Sequence, residues 1–234
     1  MDTLILVQDR DSVLDQLAWK RLHLPERTEL ADIDAQLGHQ MARADAVGVR
    51  RRDLESRQAA LEAQAQAAAE RIKAIESRMY SGEVSATRDL QAMANEVQSL
   101  QGQRSGWDDQ AVAILEELEP VEAELDGLAA DRRPLEEDRA KAEARLAQAV
   151  AVIDDEANEQ QGARNALADS IAADLLARYH KLRAHLGGIG AARLVNGSCS
   201  GCHLALSAVE LSTVVRSPTD AVITCEQCGR ILVR

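Results

Sequence analysis

The chain has 234 residues and a formal net charge of −12 at neutral pH. It contains no Phe, and only 2% of its residues are aromatic, which argues against an ordinary globular core. The acidic balance also disfavours nucleic acid or an anionic membrane as a partner of the chain as a whole. Such an Ala-, Leu-, Glu-, Gln- and Arg-rich composition is instead typical of long helices packed along narrow seams.

The N-terminal segment predicts a short helix over residues 3–22. Its apolar run from Leu4 to Val7 is far too short for a signal peptide or a membrane span. We therefore expect a cytoplasmic protein that makes no membrane contact. After a break at residues 23–24, Pro25 suits the first turn of a second helix.

Two long stripes of apolar residues follow, with the alternating three- and four-residue spacing of a coiled coil. The first runs from Leu30 to Met79 and the second from Leu90 to Ile153. They predict a helix over 25–79 and a helix over 87–186, joined by a tip at 80–86 in which Gly82 interrupts the helix. A connection this short makes the helices antiparallel neighbours, so residues 1–186 should form one helical hairpin.

Some positions of these stripes are polar, and two explanations are open. The side chains could fix the register of the coiled coil, or they could lie at the edge of the seam and extend into solvent, which we favour. The residues concerned are Arg51, Gln58, Arg104, Arg132 and Arg139.

A glycine-rich segment at 187–190 separates the hairpin from the C-terminal residues 191–234. Gly187, Gly188 and Gly190 are predicted to act as a hinge, because three glycines in four residues remove side-chain restraint on the backbone. Gly187 could equally terminate the preceding helix, and both roles are compatible.

Four cysteines in two pairs carry the clearest chemistry in the sequence. Cys199 and Cys202 are separated by two residues, and so are Cys225 and Cys228. Two thiolates at this spacing can grip a metal from one tight turn, and two such turns complete a tetrahedron. The spacing predicts one structural zinc ion in a small ribbon, without the open coordination position that catalysis needs.

Other interpretations of the cysteines are weaker. Residues 199–203 match the attachment pattern of c-type haem, but the second cysteine pair and the expected compartment argue against it. A thioredoxin-like redox pair needs a strand-helix-strand setting that 44 residues cannot supply, and disulfides do not suit a reducing compartment. His203 adjoins a ligand, but four cysteines suffice, so we expect it beside the site or on the surface.

The tip residues 80–85, the segment 196–203 around the first cysteine pair and the segment 225–232 around the second resemble a bacterial family. Its members are coiled-coil hairpin proteins with a C-terminal four-cysteine zinc ribbon, and many are described as nucleic-acid-binding. Flagellar and type III secretion members bind sigma-54 and secretion components, and one is linked to messenger RNA. For this chain the resemblance implies an adaptor. The family often has an aromatic residue after Leu232, where this chain has Val233.

The fold class is therefore mainly α, a long antiparallel coiled-coil helical hairpin with a small C-terminal zinc ribbon. Three functions remain open: a protein adaptor, a nucleic-acid-binding regulator and an enzyme. We favour the adaptor. No catalytic motif is visible in the sequence to support an enzyme. We expect a protein partner and a monomer or weak dimer. Nucleic acid or the partner would contact a basic neck around the ribbon, comprising Arg178, Lys181, Arg183, His185, Arg193, His203 and Arg230.

Overall fold

The computed structural model describes residues 1–218 and 221–234. Thr219 and Asp220 of the predicted ribbon lie outside the described residues. Within these residues, five helices and four short strands follow one another. They are α1 (Asp2–Leu22), α2 (Pro25–Tyr80), α3 (Thr87–Ala168), α4 (Ala173–His185), β1 (Ala191–Val195), β2 (Ser198–Cys199), α5 (Ala208–Arg216), β3 (Ile223–Thr224) and β4 (Ile231–Val233).

The chain divides into two compact units, one formed by Met1–Glu29 with Ala142–Arg234 and one by Leu30–Lys141. The second unit is the antiparallel hairpin of α2 and α3. Leu54 packs there against Ile114, Leu118 and Val121, all at predicted seam positions. The coiled-coil hairpin is thus confirmed, and its connection at the tip contains Gly82 in the left-handed conformation that glycine favours.

The polar stripe residues lie at the edge of the seam, as favoured from the sequence. Each has a polar or charged partner, and the four arginine side chains remain 40–51% exposed. Their long side chains thus reach solvent from a seam that is otherwise apolar. The pairs are Arg51 with Glu55, Gln58 with Glu62, Arg104 with Asp108, Arg132 with Glu136, and Arg139 with Asp34.

The helix predicted over 87–186 is instead two helices, because α3 ends at Ala168 and α4 begins at Ala173. In the intervening turn the Ser170 hydroxyl donates to the Leu167 carbonyl, as does the Ser170 amide. Serine competes in this way with the regular helical hydrogen bonds. The turn allows α4 to pack its apolar face into the core of the first unit, where the Tyr179 side chain is completely buried.

The ribbon contains a four-stranded sheet in the order β2-β1-β4-β3. β1 and β4 are parallel, with Ala191 opposite Ile231 and Ala192 opposite Leu232, and the other neighbours are antiparallel. Helix α5 starts with a capping box at Ser207. The Ser207 side chain accepts from the Glu210 amide, and the Glu210 carboxylate accepts from the Ser207 amide.

The glycines at 187–190, which the sequence predicts to act as a hinge, make close contacts with α1 and α4. Gly187 and Gly188 have φ of +68° and +89°, and a Cβ at Gly190 would lie 2.7 Å from the Tyr179 carbonyl oxygen. The Gly188 amide donates to the Arg183 carbonyl, and the Gln8 side chain bonds the backbone of both Gly188 and Gly190. Glycine is needed here for a tight turn and close packing, and these contacts hold the segment in place.

Candidate metal centre

The four cysteine sulfurs converge at one point of the ribbon. All four Sγ atoms lie within 4.8 Å of one another, and Cys199–Cys228 and Cys202–Cys225 are each 3.9 Å apart. Tetrahedral zinc with bonds of about 2.3 Å requires sulfurs about 3.8 Å apart. The predicted ligand set therefore fits one structural zinc ion.

Both cysteine pairs are held by the same backbone hydrogen bonds. The amides of Cys199 and Cys225 donate to the carbonyls of Leu204 and Arg230, each five residues further along. The carbonyl of each first cysteine accepts from the residue after the second, which is His203 in one turn and Gly229 in the other, both at 2.8 Å. The ribbon thus presents two equivalent metal-binding turns.

His203 has a backbone role in this arrangement. Its φ is +61°, and Gly229, in the equivalent position, has φ +75°. Within residues 1–218 and 221–234, the metal-binding group contains the four cysteines and no histidine. His203 therefore adopts the left-handed conformation that closes the turn and supplies no ligand to the metal, as expected from the sequence.

The thiols are packed on the sheet rather than in solvent. Cys199 and Cys225 are buried in a cluster with Ala192 and Leu232. Burial raises the pKa of the Cys199 and Cys225 thiols. Burial also opposes ionisation of Cys228, but hydrogen bonds from Arg230 and neighbouring thiols lower its pKa to about 7. Zinc binding must displace protons from such thiols, so zinc affinity should rise with pH.

Three members of the predicted basic neck are engaged within the protein. Arg183 pairs with Asp15 at 2.6 Å, and Arg193 pairs with Asp9 at the same distance. Arg230 donates to the backbone carbonyls of residues 186 and 189. Carboxylates of α1 therefore neutralise two of the predicted basic residues, Arg183 and Arg193.

The remaining neck residues lie on α4 or beside the zinc site. Arg178 and Lys181 have no side-chain hydrogen bond or ion pair among the described residues. His185 Nδ1 contacts the Lys181 carbonyl oxygen at 2.8 Å. Arg178, Lys181 and His185 fall three and four residues apart, so they share one side of α4.

Residues of α1 that the sequence analysis did not single out connect the ribbon to the helices. Asp11 is 6% exposed, and its carboxylate accepts from Arg164 at 3.0 Å and from the Tyr179 hydroxyl at 2.6 Å. Gln8 is 5% exposed and bonds the backbone at Gly188 and Gly190. The sequence contains one indication that Gln8 and Asp11 are buried. They lie four and seven residues after Leu4, so helical spacing places these two polar residues on the apolar side of α1.

The sequence model of the CT398-like coiled coil hairpin domain matches residues 7–187. The chain belongs to this family. A second model, that of the C4-type zinc ribbon domain, matches residues 198–232 and thus includes all four cysteines. These matches and the observed fold confirm the family that the tip segment and the two cysteine segments resemble.

Relatives of this member of the CT398-like family extend over nearly the whole chain. Uncharacterized proteins from two strains of Mycobacterium tuberculosis are each 28% identical over 224 residues, which cover 96% of this chain and 91% of theirs. A solved structure from Mycobacterium smegmatis has a TM-score of 0.80 at 24% identity and covers 100% of this chain and 97% of its own.

The structure of CT398 from Chlamydia trachomatis is also similar, with a TM-score of 0.74 at 20% identity over 99% of this chain and 96% of its own. At such identities the structural likenesses support the hairpin-and-ribbon fold and carry no specific function. Within the described residues, none of the helices combines the length and apolar character that a membrane-spanning segment requires.

Proposed function

We propose that this chain is a non-enzymatic, zinc-binding adaptor that engages a protein partner through its ribbon and its coiled-coil arm. The observation that carries the proposal is the chemistry of the ribbon surface, where aliphatic side chains are exposed while most arginines are held internally. Transcription or secretion machinery is the class of partner that the family resemblance suggests.

The exposed aliphatic residues of the ribbon are large enough to act as contacts. Val209 and Val215 of α5 are 75% and 62% exposed, and Leu204 is 52% exposed. Burial of aliphatic surface against a partner is favourable. A single exposed aliphatic side chain is common on protein surfaces and does not by itself indicate a contact site. Helix α5 thus offers two exposed valines as contacts for a protein partner.

The arginines of the ribbon give little support to nucleic-acid binding by the ribbon itself. Arg193 pairs with Asp9, and Arg230 donates to backbone carbonyls. Arg234 also donates to backbone carbonyls, those of residues 215, 217 and 218. Phosphate contacts require available cations, and among the described ribbon arginines Arg216 alone lacks an internal partner.

A four-thiolate zinc site also supports a role in binding rather than catalysis. All four coordination positions are taken by the protein, so neither water nor substrate can reach the metal directly. In this proposal the zinc maintains the shape of the ribbon, and the ribbon presents the contact surface.

The proposal is tested by affinity capture from a lysate of the host organism with the full-length, zinc-loaded protein, with and without nuclease. The informative variant is Val209→Ser combined with Val215→Ser. Its matched control is Arg178→Gln combined with Lys181→Gln, which alters α4 instead. Both variants should retain one zinc per chain.

If the adaptor proposal is correct, captured proteins should remain bound after nuclease treatment. They should be lost with the α5 variant and retained with the α4 variant. Nucleic-acid binding is the second candidate, because Arg178, Lys181 and His185 share one side of α4. It expects nuclease-sensitive nucleic acid whose recovery falls with the α4 variant and with added salt. Retention of every captured protein by the α5 variant would contradict the proposed role of α5.

A further inference from the structure

The sheet of the ribbon lies between two hydrophobic clusters. Ala192 and Leu232 pack with the cysteines. Their neighbours Ala191, Ile231 and Val233 belong to a different cluster, which they share with α1 and α4. Successive residues of a strand point to opposite faces, so the same two strands, β1 and β4, contribute to both cores.

The first two turns of α1 pack against this sheet as well as against α3 and α4. Leu4, Ile5 and Val7 are at most 4% exposed. Their cluster contains Ala191, Ile231 and Val233 of the ribbon together with Ala168 and Tyr179 of the helices. Polar contacts add to the apolar ones. Gln8 Oε1 accepts from the amides of Gly190 at 2.7 Å and Ala191 at 3.3 Å, and Asp9 pairs with Arg193 at 2.6 Å.

The rest of α1 is held by helices instead. Asp11 binds Arg164 of α3 and Tyr179 of α4, and Asp15 binds Arg183 of α4. Near its end, Arg21 pairs with Asp154 of α3 at 2.7 Å. None of these partners belongs to the ribbon, so the direct contacts with the ribbon come from the first part of α1.

We expect the ribbon to need zinc in order to stay folded. The ribbon spans about 44 residues, which is near the size below which a chain rarely builds a stable core of its own. In such a segment the free energy of zinc binding is free energy of folding, and a chelator unfolds it. Loss of zinc therefore removes Ala191, Ile231 and Val233 from the cluster that buries α1.

We infer that residues 2–9 of α1 form a zinc-dependent latch, which the zinc-loaded ribbon holds closed and which opens when zinc is lost. Opening exposes Leu4, Ile5 and Val7, which are buried in the closed state, while residues 11–22 stay on α3 and α4. An exposed apolar segment of this kind is what chaperones and proteases recognise in incompletely folded chains. The latch thus links zinc binding by the C-terminal ribbon to the exposure of apolar residues near the N-terminus.

Hydrogen exchange read by mass spectrometry tests the latch in the full-length protein, zinc-loaded and after removal of zinc with a chelator. We expect exchange in residues 2–9 to rise about tenfold or more on zinc removal and to return when zinc is restored. Residues 11–22 and 30–141 should change by less than about twofold. Unchanged exchange in residues 2–9 would overturn the inference, as would equal loss of protection in residues 11–22.

A variant tests the contacts without touching the metal ligands. Gln8→Ala removes the side chain that bonds Gly188, Gly190 and Ala191, so exchange in residues 2–9 should rise by several-fold while one zinc per chain is retained. Gln16→Ala is the matched control, since Gln16 is exposed on the same helix. If the two variants exchange alike in residues 2–9, the ribbon contacts do not hold the latch.

Discussion

Cys225 is 2% exposed and lies opposite Cys202, with their sulfurs 3.9 Å apart. Replacing it by Ser removes one thiolate from a closed tetrahedral site, so Cys225→Ser should lose zinc and unfold the ribbon. Zinc content by elemental analysis, and the dispersion of ribbon resonances in NMR spectra, would show both changes.

His203 supplies the matched control for the cysteine substitution. His203→Asn keeps a residue that tolerates a positive φ, and it removes no ligand. This variant should keep one zinc per chain and a folded ribbon. Loss of zinc from His203→Asn, or retention by Cys225→Ser, would contradict the four-cysteine site.

Tyr179 is a second residue whose effect can be measured. Its hydroxyl donates to the nearly buried Asp11 carboxylate at 2.6 Å, so Tyr179→Phe should lower the free energy of unfolding by about 1.5–3 kcal/mol. Tyr80→Phe is the control, since Tyr80 is 86% exposed at the hairpin tip. Urea unfolding followed by circular dichroism would measure both values.

The same tyrosine predicts a pH dependence of stability. Burial, with the hydrogen bond to Asp11, raises the pKa of Tyr179 above its ordinary value. The folded state therefore holds this proton more tightly than the unfolded state does. Its stabilisation is complete below about pH 10, the ordinary tyrosine pKa, and is lost as pH rises above that value. Urea unfolding across this range should show the decline in the natural protein and a smaller decline in Tyr179→Phe.

At the scale of elements, substitutions in the glycine segment 187–190 can distinguish close packing from backbone flexibility. A Cβ at Gly190 would lie 2.7 Å from the Tyr179 carbonyl oxygen, a backbone atom that cannot easily move. Gly190→Ala should therefore lower the free energy of unfolding by about 1–3 kcal/mol. Gly162→Ala, in open space on α3, should instead raise it by about 0.5–1 kcal/mol, because alanine favours helix. A hinge without packing would tolerate Gly190→Ala without loss, and denaturant titration distinguishes the two cases.

The helices and the zinc turns could be predicted because their signals are local. Seam residues such as Leu54 and Ile114 recur at coiled-coil spacing, and the cysteine spacing alone defines two metal-binding turns. The break after Ala168 and the contacts of the glycine segment 187–190 could not be predicted, because they depend on partners far away in sequence. Gln8 bonds Gly190 across 182 positions, and no local window contains both residues.

At the scale of the whole molecule, the two compact units have separate cores, and each can be perturbed by itself. Leu54 is 2% exposed in the hairpin unit, so Leu54→Ala should cost about 2–5 kcal/mol of unfolding free energy. Zinc content should stay at one per chain, since no metal ligand belongs to this unit.

Leu115→Ala is the control within the same unit. Leu115 is 50% exposed, so its replacement should change stability by less than about 0.5 kcal/mol. Calorimetry and elemental analysis on both variants would test the separation. A fall in zinc content with Leu54→Ala would show that the hairpin core supports the metal site.

The contact between Gln8 and Gly190 also joins two segments that are synthesised at different times. A ribosome adds about 5–20 residues per second, so the 182 positions between these partners correspond to roughly 10–40 s of translation. During that interval the apolar start of α1 has left the ribosome, while the strands that bury it have not been made. We expect newly made chains to expose this segment, and to be prone to association, until β1 and β4 have been made and zinc is bound.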